Sequence, residues 1–235
     1  MEEFLSKFKV ESFMKHRAAV ETIIEENADV DDNPHTKNRP SYHFDAEMFV
    51  KSNDLLVKSQ ELILNSIRNG QYPAAREQLG KYLHIHQDFY SHSNWIEMGE
   101  TGAYRPLGEI GAFNGKVATI DMSTCLNCTN PNSAENYVCV DNINPTINRQ
   151  KLFTSGYFGD QFEDDEPVLK PTNVLKCSHG GLLDETRHQP AVGGINKDVN
   201  TIKFSPHHYH HKQAANAAIE STNSNSSNTI LPIVV

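Results

Sequence analysis

Apolar residues recur at helical spacing through residues 4–92 and again over 206–220, and they lose that spacing in between. Phe4, Phe8, Phe13, Val20, Ile23 and Ile24 mark an amphipathic helix over residues 4–27. The cluster Asp31-Asp32-Asn33-Pro34, followed by Pro40, marks a loop from Asn27 to Ser41. A second helix is expected from Asp45-Ala46-Glu47, an acidic first turn that suits the helix dipole, to Arg68. Phe49, Leu55, Leu56, Leu62, Ile63 and Ile67 supply its apolar positions, and Asn69-Gly70 ends it. A third helix opens near Pro73 and runs to His92 through Ala74, Leu79, Leu83 and Phe89.

From Gly99 to Ser205 glycine and proline recur and helical periodicity disappears. This stretch reads as a long irregular insert with one short helix near 145–153. Helix returns over 206–220, where Ala214, Ala215, Ala217, Ala218 and Ile219 cluster. The Ser/Thr/Asn run from Ser221 reads as a disordered tail over 221–235. The expectation is a mainly α protein with one domain over 1–220, a helical bundle interrupted by an insert at about 99–205.

Composition narrows the function. The chain has 235 residues, enough for one buried core, so metals or disulfides would add to that core and not replace it. Lys plus Arg number 21 against 30 Asp plus Glu, a formal charge of −9. That balance argues against a nucleic-acid backbone or an anionic membrane as an electrostatic partner. No apolar run approaches the roughly 18–20 residues of a transmembrane helix. The opening Met-Glu-Glu-Phe-Leu lacks the basic and apolar regions of a secretory signal.

The cysteines point the other way. Cys125, Cys128, Cys139 and Cys177 all lie in the insert. Cys125-Leu-Asn-Cys128 alone fits a zinc knuckle, a redox pair or part of a disulfide framework. A second C-x-x-C is missing and no βαβ context surrounds the first, so two disulfides of unspecified pairing are expected. Disulfides imply an oxidising, extracellular compartment. Asn127-Cys128-Thr129 and Asn225-Ser226-Ser227 also match the glycosylation pattern of secreted proteins. A fragment lacking its leader would reconcile these signs with the missing signal.

Histidine is the outlier, with twelve in the chain. Steps of four on a helix advance about 400°, so His84, Asp88 and His92 form one stripe about 80° wide. His86 and Tyr90 point elsewhere. Imidazole and carboxylate one turn apart is how a helix holds a metal, and Asp88 sits where it could bridge two ions. The plain alternative is a polar helix face or a surface His–Asp pair. Partners for a multinuclear site stand at His16, at His43 in Tyr42-His43-Phe44-Asp45, and in the group His207, His208, His210 and His211. That last group also fits a fortuitous metal-binding tract.

These residues carry a resemblance. His43-Phe44-Asp45, Gly70-Gln71-Tyr72, Leu79-Gly80 and His84-x3-Asp88 with His92 resemble the helical zinc-dependent phospholipase C and P1-type nuclease superfamily. Phe89-Tyr90-Ser91-His92-Ser93-Asn94-Trp95, Leu152-Phe153-Thr154-Ser155-Gly156-Tyr157, Cys177-Ser178-His179-Gly180-Gly181 and Gly193-Gly194-Ile195-Asn196-Lys197-Asp198 carry a closer one. They are similar to the heterokaryon-incompatibility (Het-C) family and to the family of amino-terminal domains of von Willebrand factor A domain-containing protein 7. The matching blocks span roughly residues 10–220.

The resemblance implies a bundle of the phospholipase C/P1 nuclease type with one to three zinc ions (Zn²⁺). His84, Asp88 and His43 match one centre, with Asp31 at a suitable spacing. His16 with a bridging Asp88 matches a second. His92 matches a third together with His211, and His207 and His179 are weaker candidates. Two positions depart from the phospholipases. Their glutamate four residues after the last histidine is Ala215 here, and their amino-terminal ligand has no counterpart, because fifteen residues precede His16.

Two functions follow. One is an extracellular binding or structural module that keeps the metal site as a folding element, its partner an unidentified protein. The other is a phosphodiester hydrolase acting on a phospholipid-like or nuclease-like substrate, with zinc lowering the pKa of a bound water. Asp31 or Asp45 would then be the general base, and the sequence does not choose between them. An open coordination position favours the enzyme and a filled one the module.

Overall fold

In this computed structural model the backbone is described for residues 2–130 and 137–226, and side chains for 16–130 and 137–223. Helix α1 spans Glu2–Asp32, α2 Pro40–His43, α3 Phe49–Arg68, α4 Tyr72–His92, α5 Pro145–Gln150 and α6 His211–Ser226. A two-stranded antiparallel hairpin, β1 (Phe162–Glu163) and β2 (Glu166–Pro167), pairs Phe162 with Pro167 and Glu163 with Glu166. Helix α4 is central: α1, α2, α3 and α6 all pack on it. Gly80 permits the crossing with α1, since a Cβ there would lie 2.6 Å from both Glu26 Cβ and the Ile23 carbonyl.

The expected helices fall close to their places; α2 is an added short helix after the loop, α6 begins at His211 and not at 206, and three further differences bear on the site. α1 runs on through Asp32, which brings Asp31 into its last turn. α3 does not begin at Asp45. Phe44, Ala46 and Glu47 adopt left-handed φ values of 54°, 50° and 60°, a conformation uncommon outside glycine. Tertiary bonds hold this reversal. The Ala46 amide donates to the Gly156 carbonyl, the Glu47 amide to Ser155 Oγ, and Glu47 Oε2 accepts from Lys176 Nζ at 2.7 Å. The acidic residues therefore serve long-range pairs and not the α3 dipole. At the far end α6 continues past residue 220 to Ser226, and Ser221 is buried against His86. Residues 227–235 of the expected tail lie outside the described residues.

The insert is irregular but not an excursion. It sends Tyr104, Leu107, Phe113 and Phe153 into the main core beside Phe44, Phe49 and Phe89. Edge-to-face packing joins the two sources: Phe44–Phe89 centroids lie 5.4 Å apart and Phe113–Phe153 centroids 5.1 Å. A second, smaller core of Ala118, Ile143, Ile147, Ala191 and Ile195 surrounds Cys125 and Cys177. The expected disulfides form as Cys125–Cys177 and Cys128–Cys139. Among the described residues no helix is long and apolar enough to cross a membrane.

Candidate metal centre

Two clusters of imidazole and carboxylate line a cleft of about 610 Å³. In the first, α4 contributes His84 and Asp88, the end of α2 contributes His43, and the last turn of α1 contributes Asp31. Asp88 Oδ2 is 3.0 Å from both His43 Nδ1 and His84 Nε2. The two ring nitrogens are 3.2 Å apart. Asp31 Oδ1 approaches them at 3.8 and 3.5 Å from the solvent side. A tetrahedron with zinc bonds of about 2.0–2.1 Å has edges of about 3.3 Å. The spacing suits such an ion.

The second cluster joins the end of α4 to the insert. His92 Nε2 lies 3.2 Å from His179 Nε2 and 3.0 Å from Asp198 Oδ1. His179 Nε2 is 3.4 Å from Asp198 Oδ2. Asp45 completes the group from the reversal after α2. Its Oδ2 accepts from Gln161 Nε2 at 2.8 Å, and its Oδ1 faces His92 Nδ1 at 3.3 Å. His179 reaches this position because Gly156 has no side chain: a Cβ there would sit 2.3 Å from the His179 amide nitrogen.

The histidines are held from behind. His43 Nε2 faces the Thr36 carbonyl at 3.3 Å, and His92 Nδ1 faces the His43 carbonyl at 2.7 Å. His179 Nδ1 lies 3.0 Å from the Gly180 carbonyl. Asn196 Nδ2, a donor, also lies 3.2 Å from that nitrogen and within 3.1 Å of the carbonyls of His179, Gly180 and Phe204. A carbonyl accepts only, so His43 Nε2 and His92 Nδ1 are protonated. The other nitrogen of each of these two rings then faces the site, where a metal would bind once that nitrogen is free of its proton.

Charge follows the same design. Burial opposes a proton on His84, but the charges of Asp88 and Asp31 overcome it and raise its pKa to about 9. Burial is likewise outweighed at His92, which Asp198, Asp88 and Asp45 hold well above the ordinary imidazole value. Burial would raise Asp88 and Asp198, yet the neighbouring histidines keep both far below the usual carboxylate range. With no metal His84 and His92 carry compensating protons, and a cation must displace them.

The structure brings His43, His84, Asp88 and Asp31 together, and it places His92, His179 and Asp45 beside them. Among the described residues neither cluster includes His16, His207 or His211. His16 is exposed on α1. His207 is buried between Glu97 and Asn142, and His211 Nδ1 contacts the Lys197 carbonyl at 2.7 Å. The partner expected for His92 in the 207–211 group is thus replaced by His179 and Asp198. Asp198 was readable only as part of the Gly-Gly-Ile-Asn-Lys-Asp block, since an acidic residue in an aperiodic loop gives no geometric signal.

Fold and site define a class: a helical domain whose central helix carries paired His–carboxylate clusters, closed by a disulfide-braced insert. Residues 4–230 match the family described as the VWA7 N-terminal domain, and the chain belongs to that family. It is 38% identical over 208 residues to mouse von Willebrand factor A domain-containing protein 7, and 36% identical over 216 residues to the human protein of that name. Those matches cover 88% and 92% of this chain but only 21% and 22% of the relatives, so the chain spans about a fifth of their length. No solved structure matches the chain.

Proposed function

We propose that this domain is an extracellular metal-binding module. Two Zn²⁺ ions, one at His43, His84, Asp88 and Asp31 and one at His92, His179, Asp198 and Asp45, join the helical bundle to the insert and shape a surface for a protein partner. The observation that carries this reading is the backbone lock on His43 and His92, which turns the other nitrogen of each ring toward carboxylates. Mixed imidazole and carboxylate donors suit zinc, and two carboxylates per centre offset one divalent charge. Two imidazoles and two carboxylates within reach also suffice for four positions without water. That supports a folding role over the hydrolytic one that a bundle of the phospholipase C/P1 nuclease type would otherwise suggest. Two disulfides favour an oxidising compartment.

The test is metal analysis of protein purified from an oxidising host, paired with a phospholipid and phosphodiester hydrolysis assay. About two zinc ions per chain, a Tm lowered by a chelator and no turnover are expected. Metal-free protein whose Tm ignores the chelator would overturn the reading. Turnover by the zinc-loaded protein would return the hydrolase.

A further inference from the structure

Behind the second cluster lies a buried polar network built around Lys197, Asn196 and Glu97. Lys197 is fully buried, and its Nζ donates to the carbonyls of Ser93 and Ile195 and to Glu97 Oε1, each at 2.9 Å. Its amide donates to the Ser91 carbonyl, and its own carbonyl accepts from His211 Nδ1. The backbone of this one residue is therefore clamped to the end of α4, beside His92, and to the start of α6. The next residue is Asp198.

Asn196 does the same for the other ligand from the insert. Its Nδ2 donates to the His179 and Gly180 carbonyls at 3.0 and 2.9 Å. Its Oδ1 accepts from the Asp198 amide and from Ser205 Oγ. Glu97 in turn is held by His207 Nδ1, whose Nε2 faces Asn142 Oδ1. Burying a lysine, a glutamate and an asparagine is expensive unless every group is paired, and replacing them with apolar residues is often neutral for stability. Fold stability alone does not account for them.

We propose that Asn196 and Lys197, anchored by Glu97, are positioning residues for the second metal centre: they fix His179, Asp198 and His92 relative to one another and set that centre's affinity without touching the ion. This rests on the two-centre reading above. It also gives His207 and His211 a role as outer supports and not as ligands. Outer supports of metal sites typically contribute tenfold to a hundredfold in affinity.

The test uses Co²⁺ as probe, read by its visible absorption, on the full chain. A His84→Ala background reports the second centre and an Asp198→Asn background the first. Lys197→Met, and Glu97→Gln as the milder variant, should weaken Co²⁺ binding at the second centre by about tenfold to a hundredfold while leaving the first unchanged. Leu56→Ala, in the α3 core far from this network, serves as a control that lowers Tm without separating the centres. Unchanged binding in Glu97→Gln, or equal weakening of both centres, would overturn the positioning role. If the unaltered chain binds no Co²⁺ at either centre, the two-centre reading itself falls.

Discussion

The two clusters are built from the same side chains by opposite means. The first takes its donors from the helices α1, α2 and α4: His84 and Asp88 stand one turn apart on α4, and His43 reaches them across separations of 41 and 45 residues. The second takes His92 from α4 but His179 and Asp198 from the insert, across separations of 87 and 106 residues. Periodicity positions the first; disulfides, glycine contacts and buried lysines position the second. A site on a helix inherits its geometry from the backbone repeat. A site on a loop needs every backbone group tied down by something distant.

The largest effect expected from breaking this contrast comes from the Cys125–Cys177 crosslink. It closes a separation of 52 residues and ends two residues before His179. Replacing both cysteines with alanine should cost about 4 kcal/mol by loop entropy. It should also empty the second centre while sparing the first, as metal content and calorimetry will report. Loss of both ions together would mean that the insert does not act separately.

The next effect is confined to the helical frame. His86 is fully buried between Tyr82 and Tyr90, and burial lowers its pKa from 6.5 to about 4. The unfolded chain then binds the extra proton between those values, so stability is complete above about pH 6.5 and falls as pH drops toward 4. The loss amounts to about 3 kcal/mol. Denaturant titrations of wild type and His86→Leu should diverge in slope across that window and run parallel above it.

A smaller effect sharpens the α4–α6 contact. Ser221 Oγ pairs with His86 Nε2 at 3.1 Å inside the core. Ser221→Ala should cost about 1 kcal/mol in a urea melt. No cost would mean that the last helix ends functionally before this residue.

What was legible in the sequence divides along the same line. The stripe of His84, Asp88 and His92 follows from a period of 3.6, and His43 from its motif. The order and extent of α4 follow from Pro73 and its apolar positions. Asp45-Ala46-Glu47 misled, because an acidic turn before an apolar run looks like a helix start until Lys176 and Gln161 claim its carboxylates. Asp198 and the supports Asn196 and Lys197 were hidden for the same reason. Asp198 and Lys197 depend on partners 100 to 106 residues away and Asn196 on contacts within an aperiodic loop, and no local pattern encodes either. His16 fell to the opposite error, a histidine at helical spacing whose face looks to solvent.

The central claim is that imidazole and carboxylate converge here to hold a metal, and Asp88 tests it most directly. Asp88→Asn preserves shape and removes the charge that His43 and His84 both face at 3.0 Å. Elemental analysis of dialysed protein should find about two zinc ions per chain in the wild type, at most one in Asp88→Asn, and wild-type content in His86→Leu. Equal metal content in Asp88→Asn and His86→Leu would contradict the account.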